Sequence, residues 1–395
     1  VQKEKLLFQK YSMNFEKYIS WFNIKCIKYS ISEYLDLQDV KAMSLANMKM
    51  HQIWQDIVFQ KHTHNLYNAL KYKYEKRCMV KHVIASNWWI KNQEIEMLSN
   101  IKTLVINSEF KSTEIITFPS KLIKLSLNYE SGANLELPQS LQEISLGWGF
   151  NELLKPGFFP IGLKVLEMGT NFNQPITELS NLVNLTTLQL GWNFNQSIKD
   201  LPINLRHLTL LGYNQPLPKL PMYLEELFLG HAFTYSIVTG ILPCNLKKLT
   251  CRQYNHFLRF GVLPHTLEYL QLIECFGFEP NSLPRKLKHL DLPCMFYPKD
   301  LPDQLEYLAI RYPSYLMNSF PSSLIELHVA KLSNWDVLYS LVHLQILYIL
   351  EVSKIYLDKI PDSLVTIHLG LNVYHVVKRT FNPFSLLSKN KIIKM

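Results

Sequence analysis

Between residues 101 and 369 apolar residues return on a fixed beat. An apolar residue is followed three positions later by a pair of apolar residues that flank one variable position, giving Leu-x-x-Leu-x-Leu or an apolar equivalent. The beat occurs fourteen times, with its first residue at 101, 122, 141, 163, 185, 205, 224, 246, 267, 287, 305, 324, 344 and 364. The intervals run from 18 to 22, and all 42 positions (three in each of fourteen copies) are apolar in a chain that is 48% hydrophobic. Positions 4 and 6 of each copy lie two apart, the period of a strand with alternate side chains on one face. A period of about 20 residues predicts a solenoid in which each turn supplies one short strand and successive strands pair in parallel. Positions 1, 4 and 6 then stack inward. No turn buries enough apolar surface alone, so the array must fold as a stack. At about 4.8 Å per strand, fourteen turns predict a sheet roughly 60 Å along its edge.

Punctuation sharpens the unit. Three residues before position 1, Pro stands in eleven copies: Pro119, Pro138, Pro160, Pro202, Pro221, Pro243, Pro264, Pro284, Pro302, Pro321 and Pro361. Pro has no amide proton and disfavours a helix through the preceding residue. It therefore suits the loop entering a strand, and it predicts extended chain and turns with little α-helix on the far side. Leu98, Leu182 and Leu341 replace it in three copies, where Thr177–Leu185 and Trp335–Leu344 have room for a helical turn. After the strand some copies read Gly-x-Asn-Phe-Asn-Gln, most clearly Gly169 to Ile176 and Gly191 to Ile198. Gly permits a tight exit, Asn side chains satisfy turn backbone groups, and Phe plugs the end of the core.

Residues 13–64 lack this beat. Ile27, Ile31, Tyr34 and Leu35 lie at helical spacing, and Val40, Met43 and Leu45 begin a second apolar face. Short amphipathic helices are predicted here. A helical segment over 65–97 would join them to the repeats, with Trp88 and Trp89 sealing the junction.

Two resemblances rest on these residues. The repeat consensus, with its Leu-Pro opening and its Phe-Asn-Gln-Pro-Ile exit, resembles the FNIP repeat, a relative of the leucine-rich repeat abundant in social amoebae and in giant viruses that infect them. The resemblance covers about 98–370 and is most specific at 163–176 and 185–198. The stretch from Ile31 to Asn47, with Tyr34-Leu35-Asp36-Leu37-Gln38-Asp39-Val40, resembles the F-box, although Asn23-Ile24 stands where that family opens with Leu-Pro. Together they resemble an F-box and FNIP repeat-containing protein of the giant-virus or amoebal type. The fold class implied is α+β: a small N-terminal α-helical F-box-like module followed by a parallel β-solenoid of leucine-rich repeats. The domains expected are an F-box-like module over 13–64, a helical linker or cap over 65–97, repeats over 98–370 and a C-terminal cap or tail over 371–395. The implied function is that of a non-enzymatic substrate receptor of a cullin–RING ubiquitin ligase. Leu35, Leu37, Val40, Leu45 and Met48 would dock a Skp-type adaptor. The alternative is a protein-binding scaffold or decoy whose N-terminal helices only cap the stack.

Composition changes little in this picture. Net charge is +9, and residues 1–95 hold 15 Lys and Arg against 8 Asp and Glu, or +7. The cluster Lys71-Tyr-Lys73-Tyr-Glu-Lys76-Arg77 reads as a solvated helix face, so no nucleic-acid partner is expected. Six cysteines without a Cys-x-x-Cys pair, the absence of a leader-like apolar run at the start, and no long uncharged apolar stretch point to a reducing intracellular compartment, cytoplasmic or nuclear, and to no membrane span. His62, His64, Cys78 and His82 have metal-binding types at a spacing that matches no zinc pattern. No phosphate loop, nucleophile elbow or paired carboxylate motif occurs. No catalytic residue, metal or cofactor is expected.

Phase places the binding face. With positions 4 and 6 inward, positions 3, 5 and 7 line the concave sheet surface. Early copies put Ser126, Ser145, Gly147, Gly169, Thr187 and Gly191 there; later copies put Phe228, Arg252, Tyr269, His289, Tyr307, Arg311, His328 and Tyr348. Aromatic residues and Arg are the types enriched at interface hot spots. The strip over about 226–350 is expected to bind a protein target. The alternative is that these rings merely shield the sheet.

Overall fold

The computed structural model describes residues 63–65, 80–85, 99–106, 116–127, 135–273, 275–292, 300–310, 319–351, 356–370, 372–378 and 391–394. The chain forms two compact units, Val1–Ser108 with Ile116–Leu125, and Glu109–Ile115 with Ser126–Met395.

In the larger unit each copy of the beat supplies one four-residue strand that begins two residues after its first leucine. Twelve such strands, from Glu143–Leu146 to Thr366–Leu369, pair in parallel, each with the next copy along the chain. Leu163, Leu166 and Met168 of one rung, and Leu185, Leu188 and Leu190 of the next, are at most 1% exposed. Full burial of such a side chain contributes about 1.5–3 kcal/mol, and in-register pairing repeats that burial at every rung. Beyond the last parallel rung the direction reverses. Asn372–Lys378 pairs antiparallel with Thr366–Leu369, and Lys391–Lys394 pairs antiparallel with Asn372–Lys378.

The proline before each strand closes a turn with its carbonyl. From Leu122 onward the position-1 amide donates to the residue three before it in every copy, at 3.0–3.3 Å. That bond uses the proline carbonyl and needs no proline N–H. Where Leu replaces Pro, its amide makes a further bond: Leu182 N–H donates to Leu179 O at 3.0 Å, and Leu341 N–H to Leu338 O at 3.1 Å. Those bonds close the 3-10 segments Thr177–Asn181 and Trp335–Ser340, within the two stretches marked for a helical turn. A third short segment, Leu357–Lys359, was not anticipated.

The strand exit is built from stacked motif residues. Phe150, Phe172 and Phe194 are at most 2% exposed and stack 6.0 and 6.1 Å apart at 19° and 3°. Asn151, Asn173 and Asn195 form a ladder in which each side-chain oxygen accepts the next rung's amide at 2.9 Å. The glycines answer to crowding. A Cβ on Gly169 would lie 2.0 Å from Gly147 O, and one on Gly191 would lie 2.0 Å from Gly169 O. Neither glycine has positive φ, so close approach between turns sets the requirement and backbone handedness does not.

The smaller unit overturns the α+β expectation. Thr63–Asn65 pairs in parallel with His82–Ala85, which pairs in parallel with Thr103–Ile106. Strands thus stand at the end of the module expected to be helical and within the expected helical linker. Among the described residues no N-terminal helical module is seen, and helix is confined to the three 3-10 segments. The physical reason is visible in Val80-x-x-Val83-x-Ala85, which repeats the beat 21 residues before Ile101 with Val and Ala in place of Leu. Val80 and Val83 are both 0% exposed, so they fill the same core positions. Leu35, Leu37, Val40, Leu45 and Met48, the Lys71–Arg77 cluster and Trp88-Trp89 lie outside the described residues. So do His62 and Cys78, while His82 opens a strand.

Candidate protein-binding face

Positions 3 and 5 of each strand point away from the leucine core, so parallel pairing stacks equivalent positions one rung apart, about 4.8 Å. Tyr269, His289 and Tyr307 occupy position 3 of successive rungs. Their rings stack at 4.1 Å and 12°, then 3.8 Å and 6°. His328, Tyr348 and His368 occupy position 5 of the next three rungs and stack at 4.0 Å and 21°, then 3.6 Å and 12°. The two runs join diagonally. Tyr307 is in register with Glu326, but its ring meets His328 at 5.1 Å and 45°. Glu326 turns toward the same imidazole, and His328 Nε2 lies 2.6 Å from its Oε1. The result is one ladder of six alternating Tyr and His rings.

Cations flank its N-terminal end. Lys248 Nζ lies 5.0 Å from the Tyr269 ring centroid, and the Arg252 guanidinium lies 5.8 Å from that of Phe228. Such contacts contribute about 0.5–1 kcal/mol each at exposed sites. Beside the ladder, at position 5 of the rung that holds His289, the buried Asp291 carboxylate accepts a bond from Gln271 Nε2 at 2.7 Å. Burial between two tyrosines pushes the His289 imidazole down to about 4, against the opposing pull of the Asp291 and Glu326 carboxylates. Burial, and then Asp291, raises the Tyr269 phenol. His289 is therefore neutral at pH 7.

Seven of the eight expected target-binding residues fall in this strip: Phe228, Arg252, Tyr269, His289, Tyr307, His328 and Tyr348, all half-buried. Arg311 lies outside the described residues. Five are linked by direct ring stacking, while Phe228 and Arg252 form a separate pair. His368, which completes the ladder, was missed, although it holds the position of Tyr348 one copy later. Lys248 was missed because a single lysine at position 3 carries no signal until its neighbour is known to be Tyr269.

Stacked rings cover one another's faces and leave their edges, hydroxyls and ring nitrogens outward. This suits adhesion to a protein surface through rigid amphipathic groups. Among the described residues no group of three or more His, Cys, Asp or Glu is placed to hold a metal ion. Cys251 and Cys275 are buried, and burial pushes the Cys251 thiol up to about 12, which makes it a core hydrophobe.

The family model of the FNIP repeat matches residues 133–171, 150–181, 213–251 and 236–275. FNIP repeats are thus found over 133–181 and 213–275. Within the matched residues, Phe150 and Phe172 belong to the buried ring stack, and Asn151 and Asn173 to the exit ladder. Among solved structures, the Leptospira interrogans LRR protein LIC12759 is 20% identical with a TM-score of 0.54, over 78% of this chain and 88% of that one. CroV588, a novel circular LRR protein, is 22% identical with a TM-score of 0.47 over 78% of this chain. This chain spans 58% of the length of CroV588. YopM from Yersinia enterocolitica is 19% identical with a TM-score of 0.45, over 73% of this chain and 77% of that one. The leptospiral likeness establishes a leucine-rich-repeat fold. No curated protein matches the chain in sequence. No helix among the described residues is long and apolar enough to cross a membrane.

Proposed function

We propose that this protein is a non-enzymatic binding scaffold whose FNIP repeats hold a protein partner on the exposed face of the sheet. The contact strip comprises Phe228, Arg252, Tyr269, His289, Tyr307, His328 and Tyr348, with His368 added. The observation that carries this reading is the six-ring ladder, held in register by the strands beneath it. Its anchors are already immobilised by stacking, so binding costs little further side-chain entropy. A ligase substrate receptor is not supported, because that reading needed a helical N-terminal module and strands stand at Thr63–Asn65 and His82–Ala85.

The test is affinity capture with the full chain and with a Tyr307→Ser/Tyr348→Ser variant, both verified as folded by circular dichroism. At least one protein retained by the parent should bind the variant ten-fold less, about 1.4 kcal/mol. Equal retention of every captured protein would remove the strip from the binding function.

A further inference from the structure

Position 2 of each copy, at the entry edge of the sheet, carries a row of its own. Backbone bonds place Arg206, Glu225, Lys247, Glu268, Lys288 and Glu306 on successive rungs, and their charges alternate. Arg206 and Lys247 both pair with the Glu225 carboxylate, the lysine at 2.8 Å, and Lys288 Nζ lies 3.4 Å from Glu268 Oε2. Opposite charges on neighbouring strands stabilise a sheet. The alternation stops at Glu306, whose carboxylate forms no ion pair among the described residues because Lys288 is turned toward Glu268. On the next rung, where the pattern calls for a cation, stands Ile325.

Where the charge row ends, an open concavity of about 780 Å³ begins. Ile325, Val342 and Val365 line it and are 37%, 62% and 54% exposed. Glu306 lines it too, together with Asp303, an exposed carboxylate that likewise forms no ion pair among the described residues. The hydroxyls of Ser323 and Ser363 in its wall already donate to Leu305 O and Leu341 O, at 2.7 and 3.4 Å. Exposed apolar side chains gathered in one concavity mark an interaction site.

We propose that this concavity docks a peptide segment of a partner protein in which Arg or Lys stands among apolar residues. The segment's apolar side chains cover Ile325, Val342 and Val365. Its cation supplies the charge that the row lacks after Glu306, with Asp303 as a second acceptor. Charge selects this occupant: an anionic lipid surface or a nucleic acid would meet two uncompensated carboxylates of its own sign. The surface lies at the entry edge, apart from positions 3 and 5 that carry the Tyr–His ladder, and the inference does not rest on the ladder's role.

Titration of the full chain with short synthetic peptides, in which one Arg stands at each possible spacing from a pair of leucines, tests the proposal by fluorescence anisotropy. A subset should bind saturably. Glu306→Lys and Val342→Asn, both at exposed positions, should each weaken that binding about ten-fold with unchanged melting temperatures. In return, Glu306→Lys should gain binding to the counterparts that carry Glu in place of Arg. Tyr348→Ser should leave binding unchanged, which separates this surface from the ladder. No saturable binding by the folded parent would overturn the proposal. So would equal losses of Arg-bearing and Ala-bearing peptides in Glu306→Lys, or a loss in Tyr348→Ser as large as that in Val342→Asn. Self-association of the parent that Val342→Asn abolishes, with no peptide bound, would also overturn it, because a second copy would then be the occupant.

Discussion

At the scale of single residues, position within the rung decides what each side chain becomes. His207 and His289 occupy the same repeat position, yet only His289 lies between two aromatic neighbours, Tyr269 and Tyr307. Its folded value of about 4 lies below the ordinary imidazole value of 6.5. As pH falls, the unfolded chain takes up this proton first, so the stability associated with neutral His289 is complete above about pH 6.5 and is lost toward pH 4. Discounting for solvent around a half-buried ring, the loss amounts to about 1–2 kcal/mol. His289→Phe keeps a stacked ring and removes the titration. Urea denaturation across that pH range should therefore show a shallower decline for the variant. Parallel curves for parent and variant would mean that His289 is as easily protonated in the fold as outside it.

At the scale of the element, an amide proton in place of proline lets a connecting loop close a longer 3-10 turn. Leu182 and Leu341 donate from the position where other copies have Pro, and both closed turns depend on that donor. Leu182→Pro removes the bond to Leu179 O and the buried leucine side chain together. The expected cost is about 1–2 kcal/mol, with amide exchange accelerated locally across Thr177–Asn181. Unchanged exchange there would show that side-chain packing holds the turn without the bond. This element was legible because a proline pattern with three gaps is visible in the chain. The short Leu357–Lys359 turn was not, since it precedes an ordinary Pro361 copy and ends before the proline.

At the scale of the whole molecule, a solenoid is a sum of turns and their nearest-neighbour contacts. Phe172 and Leu327 are fully buried in rungs eight apart, and nothing they touch is shared. Phe172→Ala should cost about 3–5 kcal/mol and Leu327→Ala about 2–5. Their costs should add to within about 0.5 kcal/mol in the double variant. Coupling above about 1 kcal/mol in equilibrium denaturation would show that the stack responds as one cooperative body. The N-terminal region marks the limit of pattern reading at this scale. The stretch over 65–97, expected to be a helical linker, carries the repeat beat with its leucines replaced, as Val80, Val83 and Ala85 show.

The sequence alone determined the repeat length, the strand positions, the identity of the core residues and the face on which Tyr269, His289, Tyr307, His328 and Tyr348 would lie. Each of these follows from periodicity, because a rung's inward and outward positions are set by its own local alternation. Only the tertiary structure decided that the rings form one ladder, that it crosses from position 3 to position 5 at Tyr307 and His328, and that His368 extends it. It also decided that Glu306, Ile325 and Val365 line one concavity, and that Gly169 and Gly191 answer to a neighbouring turn's carbonyl. These are relations between residues about 20 or more apart in the chain, fixed by which rung pairs with which and in what register. No single repeat contains that information.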